Sequence, residues 1–342
     1  MSEFRAITGF EDVWRPPVRI RARRSEEVVS PGSSGATTRA RLQRIVRRAP
    51  EVMVKVTGRT RDPAHLAAHL SYVTRNGQLA AEDRDGCTIE GRREVAELAR
   101  DWSAAEIMDS RRRRDSPFSV GLILSMPAGT DALRLCDAAL IFAQEAFANR
   151  HDYVLVLHTD TAHPHVHLTV RARSDDGVRL NPKKPDLEAW RQIFARALRE
   201  RGVEAEATPR RARGVTRKAE RAAIRRLRQQ HERGRGVIGR VAREKLGQAG
   251  LLAFGGPVEL TPWERQIAAR QAQIRRVYLA QAKLLQSSRD PADRKLGAEV
   301  EAFVRSLRPP DTERLALARA LRDANDRARS NDRGGGRKKD RA

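Results

Sequence analysis

The sequence predicts an α+β protein, in which an antiparallel sheet with helices on one face is followed by an all-helical basic region. Between residues 49 and 205, short β-branched runs alternate with segments of helical period. Beyond about residue 205 the pattern contains helical segments and no strand. We therefore expect a disordered basic arm rich in Arg, Ser, Pro and Gly (1–48), the α+β domain (49–205), a helical basic region (206–330) and a flexible basic tail (331–342).

The elements of the α+β domain follow in mixed order. A β-branched strand at 52–56 opens it, and Asp62 and Pro63 predict the N-cap and first turn of a helix that Asn76 and Gly77 end. The remaining expected elements are a helix at 92–107, a central apolar strand at 118–125, a helix capped by Thr130 and running to about 148 with Leu133 on its buried side, strands at 153–158 and 165–172, a short strand at 178–180 and a helix at 186–201. Later helices are expected at 215–234, 262–289 and 291–330.

The charge of the chain favours a polyanionic partner. Lys and Arg number 68 against 44 Asp and Glu, which gives a formal net charge of +24. Arginine supplies most of the excess and suits bidentate contacts to phosphate, so nucleic acid is the expected class of partner.

No run approaches the ~18 apolar residues of a membrane span. The start of the chain has no apolar signal segment and the two cysteines suit a reducing compartment, so we expect a cytoplasmic protein without membrane insertion.

Four of the eight histidines lie between residues 158 and 167. His165 and His167 are two apart in an apolar strand and so face one side. The preceding strand ends at His158, and a short link would make the two strands antiparallel neighbours. Three imidazoles with open coordination positions favour a catalytic metal site. The alternatives are a chance cluster of histidines and a structural zinc site, for which Cys87 and Cys136 are single and far apart.

Other side chains with reactive or polar groups allow two interpretations each. Tyr72 near the end of its helix is either a half-buried packing residue or a nucleophile, because a phenolate can attack phosphorus. Ser125 either makes a local hydrogen bond at its strand end or acts in the site. Asp160 either orients a ligand histidine or caps the turn. His65 and His69 lie four apart without an acidic partner, which favours a solvated or half-buried helix face.

Three segments in this order resemble the relaxases of conjugative and mobilisable elements, within the His-hydrophobe-His endonuclease superfamily. They are the tyrosine segment 70–77 (LSYVTRNG), the serine segment 122–130 (LILSMPAGT) and the histidine segment 158–167 (HTDTAHPHVH). The resemblance is greatest to the subgroup of the T-DNA border nickase, covers about 50–220 and is most specific in the histidine segment. It makes 49–205 a relaxase nuclease domain. The arm is longer than usual for the family, and no helicase or primase domain is visible.

The resemblance implies site- and strand-specific nicking at a transfer origin by transesterification. It implies roles for seven residues: Tyr72 as the nucleophile that forms a 5′-phosphotyrosine, Ser125 near the cleaved DNA, His158, His165 and His167 as ligands of one divalent ion (Mg²⁺ or Mn²⁺), Asp160 in tuning a ligand imidazole, and His163 as a supporting or basic group.

The resemblance also implies partners. These are single-stranded and duplex DNA at the origin, an accessory relaxosome protein and the coupling protein of a type IV secretion system, with export of the protein on the transferred strand. We expect the basic loops 111–114 and 181–184 to follow the DNA backbone. The alternatives are a rolling-circle replication initiator of the same superfamily, a noncatalytic DNA-binding protein of a mobile element and a hydrolytic metallonuclease that forms no covalent product.

Overall fold

The computed structural model describes residues 4–7, 10–14, 35–110, 112–216, 222–235, 239–255, 259–310 and 312–335. The chain divides into two compact units. The sheet unit is Arg15–Thr208, and the helical unit combines Met1–Trp14 with Pro209–Ala342. In the described residues no helix is both long and apolar enough to span a bilayer.

The sheet unit contains a six-stranded sheet in the order β1-β4-β6-β5-β2-β3. Every neighbouring pair is antiparallel, as the sequence predicts. The strands are β1 (Met53–Thr60), β2 (Ala81–Asp83), β3 (Thr88–Ile89), β4 (Ser119–Ser125), β5 (Tyr153–His158) and β6 (His165–Arg171). The helices are α1 (Gly35–Val46), α2 (Pro63–Val73), α3 (Gly91–Ile107), α4 (Ala132–Phe147) and α5 (Lys184–Glu200).

Helices cover both faces of this sheet, whereas the sequence pattern predicts them on one. Side chains alternate along β5, so Tyr153 and Leu155 pack with α4 and α5. Val154 and Val156 point the other way and pack with α2 and α3. The histidines at the facing ends of β5 and β6 share the α2 side of the sheet, because Val156 pairs with His167.

The start and end of α2 are fixed by local sequence. The Asp62 carboxylate accepts a hydrogen bond of 2.8 Å from the His65 N–H, as expected of an N-cap. The helix ends in three consecutive residues of positive φ, namely Arg75 (52°), Asn76 (58°) and Gly77 (78°). A Cβ at Gly77 would lie 2.4 Å from the Gly91 carbonyl carbon, so only glycine fits there.

Three expectations for this unit are wrong in detail. The N-cap of α4 is Asp131, whose side chain accepts from two backbone N–H groups, while the Thr130 hydroxyl donates to the Pro127 carbonyl. Leu133 is 73% exposed, because the buried stripe of α4 begins at Leu135. Residues 178–180 form only an isolated bridge near their middle, not a strand.

The expectation of a disordered arm over 1–48 is also wrong for two segments. Helix α1 buries Leu42 and Ile45, and the Arg44 Nε donates to the Glu206 carboxylate over 2.8 Å. A 3-10 turn at Phe10–Val13 belongs to the helical unit. Residues 15–34 of the arm lie outside the described residues.

In its described residues the helical unit consists of α-helices and two 3-10 turns, Phe10–Val13 and Arg210–Arg213. Its helices are α6 (Ala222–Glu232), α7 (Arg240–Phe254), α8 (Pro262–Gln286), α9 (Pro291–Ser306) and α10 (Glu313–Gly335). The first turn brings Phe10 and Trp14 against Tyr278 on α8, and the Trp14 Nε1–H donates to the Tyr278 hydroxyl over 3.0 Å. Helix α7 lies between two of the helices that the sequence predicts and is not itself predicted. Helix α10 includes the first five residues of the expected tail, and 336–342 lie outside the described residues.

A buried carboxylate joins two helices of this unit. Glu264 in the first turn of α8 is 2% exposed and accepts hydrogen bonds from Thr261, Thr312 and Arg314. Burial alone would raise the pKa of Glu264, but the bonds from Arg314 and Thr312 outweigh it and lower the pKa to about 2.

Candidate active site

Three imidazoles converge at one end of the β5–β6 pair. His158 ends β5, lies directly opposite His165 in the register, and His167 follows two residues later on β6. One ring nitrogen from each histidine lies within 4.8 Å of the others. The strand register therefore produces the cluster that the sequence predicts.

Backbone carbonyls orient two of these rings. The Nε2–H of His158 donates to the Val73 carbonyl over 2.6 Å, and the Nδ1–H of His165 donates to the His163 carbonyl over 3.1 Å. These bonds fix the tautomers, so that the opposite nitrogen of each ring keeps its lone pair. Lone pairs from neutral imidazoles are the donors that a divalent cation requires, and the cluster fits such an ion.

The surroundings favour the neutral form of two of the ligand rings, His158 and His167. The pKa of His167 is lowered to about 4, first by burial and then by the neighbouring His158 and His165. Burial likewise lowers the pKa of His158, despite its hydrogen bond to Val73. Protons therefore compete weakly with a cation for these two nitrogens near neutral pH.

Tyr72 lies beside the cluster and is open to solvent. It is 60% exposed, and its ring meets the His167 ring edge to face with centroids 6.3 Å apart. Tyr153 and Tyr278 are only 1% and 0% exposed. Tyr72 is therefore the one accessible phenol among the three tyrosines of the chain.

Arg75 and Asp160 form an ion pair at the edge of the cluster that the sequence analysis did not foresee. The Arg75 Nη2 donates to Asp160 Oδ2, and its guanidinium carbon lies 5.6 Å from the Tyr72 ring centroid. Desolvation acts to raise the pKa of Asp160, but the adjacent Arg75 lowers it overall. Asp160 Oδ1 is 4.0 Å from His158 Nδ1, beyond hydrogen-bond range, so the ring-orienting contact expected of Asp160 is made by the Val73 carbonyl instead.

His163 and Ser125 lie on either side of the β5–β6 link. The His163 side chain is exposed and is not part of the histidine cluster. Only its backbone carbonyl contacts the cluster, where it accepts the hydrogen bond from His165. Ser125 is cross-strand from His165 and 6% exposed. Its hydroxyl donates to the Pro164 carbonyl over 3.3 Å, which ties the link to the end of β4.

His69 connects α2 to the sheet beside the cluster. Its Nε2 is 3.0 Å from the Thr169 Oγ1 on β6, two residues beyond His167. The ring lies over Gly121, where an added Cβ would be 3.3 Å from two of its atoms. His69 therefore lies on a half-buried face of α2, as the sequence predicts. Its contact with Thr169 sets the distance between α2 and the strand that carries His167.

The sheet is open next to the cluster, on its β1 side. The register continues from His165 through Ser125 to Met53, and from His167 through Ile123 to Lys55. Met53 is 47% exposed, Lys55 is exposed and Ile123 is half-buried. Lys55 lies two strands from His167, which is about 10 Å at the usual strand spacing.

The two basic loops lie at the opposite end of the sheet. Loop 111–114, of which Arg111 is outside the described residues, precedes Ser119, and loop 181–184 follows the end of β6. Strand β4 separates these ends by about 20 Å. Arg112 donates to two backbone carbonyls and covers the Phe118 ring, so it has a structural role.

Comparison with known proteins finds a family similar to this domain. Residues 72–203 match the nuclease domain of the MobA/VirD2-like relaxases. The T-DNA border endonuclease VirD2 of Rhizobium radiobacter is 27% identical over 184 residues, which are 48% of this chain and 43% of that protein. VirD2 of Agrobacterium fabrum strain C58 is 26% identical over 185 residues, which are 48% of this chain and 41% of that protein. The chain thus spans less than half the length of these relatives.

Two solved structures are distantly similar. One is the MobM relaxase domain bound to plasmid pMV158 oriT DNA, a Mn-bound crystal structure, with a TM-score of 0.35, 13% identity and coverage of 51% of this chain and 96% of that chain. The other is described as the molecular basis of vancomycin resistance transfer in Staphylococcus aureus, with a TM-score of 0.31, 12% identity and coverage of 47% and 99%. The matched segment, residues 72–203, contains Tyr72, Ser125 and the three histidines, so the similarity to the MobA/VirD2-like relaxase nuclease domain covers the candidate site.

Proposed function

We propose that this protein is a DNA relaxase that nicks one strand at the transfer origin of a mobile element and becomes covalently attached to the 5′ end. The observation that carries the proposal is the placement of Tyr72. It is the one exposed tyrosine, and it lies on the helix end whose Val73 carbonyl also orients His158. Because the end of α2 holds both the nucleophile and a ligand of the cation site, both can act on the same phosphate.

In this reaction the Tyr72 oxygen attacks phosphorus in line with the leaving 3′-oxygen. The Oη–P bond forms, the P–O3′ bond breaks, the phenolic proton passes to solvent and the 3′-oxygen takes up a proton. One phosphodiester replaces another, so no nucleotide cofactor is needed and the reverse reaction reseals the strand. A divalent ion, Mg²⁺ or Mn²⁺, bound by His158, His165 and His167 would polarise the phosphorus and neutralise charge on the non-bridging oxygens.

We propose that the single strand crosses the open part of the sheet between the cluster and β1. Lys55 is positioned for a phosphate next to the scissile one, and Met53 and Ile123 provide an apolar surface for sugar or base. This path differs from the expected one along the basic loops, because those loops lie about 20 Å from the histidine cluster. Exposed arginines on α6, such as Arg225 and Arg226, would contact duplex DNA.

The cellular setting is likewise a proposal. The protein would act in the bacterial cytoplasm with an accessory relaxosome protein, and would leave the cell with the strand through a coupling protein and a type IV secretion system. The similarity to a T-DNA border endonuclease supports this over a rolling-circle replication initiator.

The decisive experiment uses a single-stranded origin oligonucleotide labelled on each side of the nick, with Mn²⁺, on denaturing gels. We expect a covalent protein–DNA band on the 5′-phosphate side and a free 3′-hydroxyl fragment. Tyr72→Phe and EDTA should abolish both, while the control Tyr153→Phe, at a buried position, should retain them. Cleavage that survives Tyr72→Phe would contradict the proposal and indicate hydrolysis by water, and tight binding without cleavage would indicate a noncatalytic binding protein.

A further inference from the structure

The guanidinium of Arg75 lies next to both partners of the proposed reaction. Its central carbon is 5.6 Å from the Tyr72 ring centroid, and its Nη2 is bonded to Asp160, whose other oxygen is 4.0 Å from His158 Nδ1. Its charge also contributes to the lowered pKa of His158 and His167, after burial and the neighbouring histidines. A phosphate between Tyr72 and the histidine cluster would therefore lie within reach of Arg75.

Arg75 retains free hydrogen-bond donors. In the described part of the chain its side chain has one partner, Asp160, which occupies Nη2. The side chain is 38% exposed, so a ligand can reach it, and Nε and Nη1 have no hydrogen-bond partner among the described residues. A planar fork of N–H donors fits two phosphate oxygens better than an ammonium does.

The backbone keeps Arg75 in this place. It has a positive φ of 52°, and its N–H donates to the Tyr72 carbonyl over 3.2 Å. Tyr72 and Arg75 thus lie on one tight turn at the end of α2. The ion pair with Asp160 is exposed on both sides, where water screens the two charges, so stability alone does not account for it.

We propose that Arg75 is a catalytic residue of the reaction proposed above, and the inference rests on that function. Its free N–H groups bind a non-bridging oxygen of the scissile phosphate, while Asp160 fixes the plane of the guanidinium. The same positive charge stabilises the Tyr72 oxygen as it loses its proton. Arg75 exchanges no proton itself, and the bonds made and broken remain those of the transesterification.

The test compares Arg75→Ala and Arg75→Lys with Arg93→Ala. Arg93 is an exposed arginine of α3 that also has an ion-pair partner, Glu97, so its loss removes the same charge from the same unit. In single-turnover cleavage with saturating protein we expect Arg75→Ala to be about 10²- to 10³-fold slower than wild type. Arg75→Lys should recover part of the rate, and Arg93→Ala should stay within threefold of wild type.

Three further readouts separate catalysis from folding, and the two binding measurements among them do not depend on cleavage. In the Tyr72→Phe background with EDTA, Arg75→Ala should weaken oligonucleotide binding more than Arg93→Ala does. With the two phosphorothioate diastereomers at the scissile phosphate, one should slow wild type but not slow Arg75→Ala further. Binding of Mn²⁺ by Arg75→Ala should match wild type, which shows that the triad is intact.

The outcomes distinguish this inference from the function on which it rests. A wild type that forms no covalent product refutes both. A wild type that reacts, with Arg75→Ala within threefold of Arg93→Ala and equally sensitive to both diastereomers, refutes only the role of Arg75.

Discussion

Replacing Gly121 by valine should push α2 slightly away from the sheet, whereas the same change at Gly58 should leave α2 in place. The two glycines face each other across β1 and β4. A Cβ at Gly121 would lie 2.8 Å from Thr57 Oγ1 and 3.3 Å from two atoms of the His69 ring, while a Cβ at Gly58 would meet no atom within 4 Å. Valine adds two methyl groups beyond that Cβ, so the His69 ring must move and release Thr169.

The expected cost at Gly121 has two parts. Overpacking costs about 1–3 kcal/mol, and a buried Thr169 hydroxyl without its partner costs about 1–3 kcal/mol more. We therefore expect Gly121→Val to destabilise the sheet unit by about 2–5 kcal/mol. Gly58→Val should be neutral or stabilising by up to about 1 kcal/mol, since valine suits a strand and restricts the unfolded chain.

The assay is hydrogen–deuterium exchange of β4 and β6 peptides across a urea series, which reports the free energy of opening of this sheet alone. Single-turnover nicking well below the unfolding midpoint provides the functional measurement. Because α2 carries Tyr72, a displacement of about 1 Å should slow nicking about 100-fold. His69→Ala makes room for the valine and should recover part of the lost stability in Gly121→Val. Equal effects of the two valines would refute the reasoning.

Three other perturbations follow from the same structure. Lys55→Ala should weaken binding of single-stranded origin DNA and reduce the slope of log affinity against log salt by about 0.7, whereas an unchanged slope would remove Lys55 from the DNA path. Calorimetric titration with Mn²⁺ should show binding lost in His158→Ala but kept in His163→Ala, since only the His163 carbonyl contacts a ligand ring; loss in both would contradict the carbonyl-mediated orientation. Glu264 has its pKa lowered to about 2 from a usual 4.5, so its stabilising charge is fully present above pH 4.5 and lost as the pH falls toward 2. We expect α8 and α10 to lose at most about 3 kcal/mol in that window, and Glu264→Gln to flatten the profile of exchange protection against pH.

Short sequence patterns were enough to predict the histidine cluster and the two ends of α2. The period of two in residues 165–167 places two imidazoles on one face, and the short link from His158 determines the register that adds the third. The Asp62 cap and the Asn76–Gly77 ending of α2 are likewise local, and both are confirmed. These signals also bring Tyr72 to the end of the helix.

Features that depend on packing between distant segments were missed. The run 153–157 is apolar at every position, which is typical of a strand buried on both faces, yet helices were expected on one face only. The composition of the arm gave no sign that Phe10 and Trp14 are buried, because their partner Tyr278 is more than 260 residues away. Arg75 and Asp160 are 85 residues apart, and no spacing rule joins them.

The bond between the His158 ring and the Val73 carbonyl links the last turn of α2 to the histidine cluster. Terminal helix carbonyls normally lack a partner within the helix, and this one is satisfied by a side chain that belongs to the cluster. Fraying of that turn would therefore release both the ring and the segment that carries Tyr72. An ion that immobilises His158 would slow this fraying, so amide exchange at 72–75 should decrease on Mn²⁺ binding. The His158–Val73 bond thus couples occupancy of the cation site to the order of the segment that carries Tyr72.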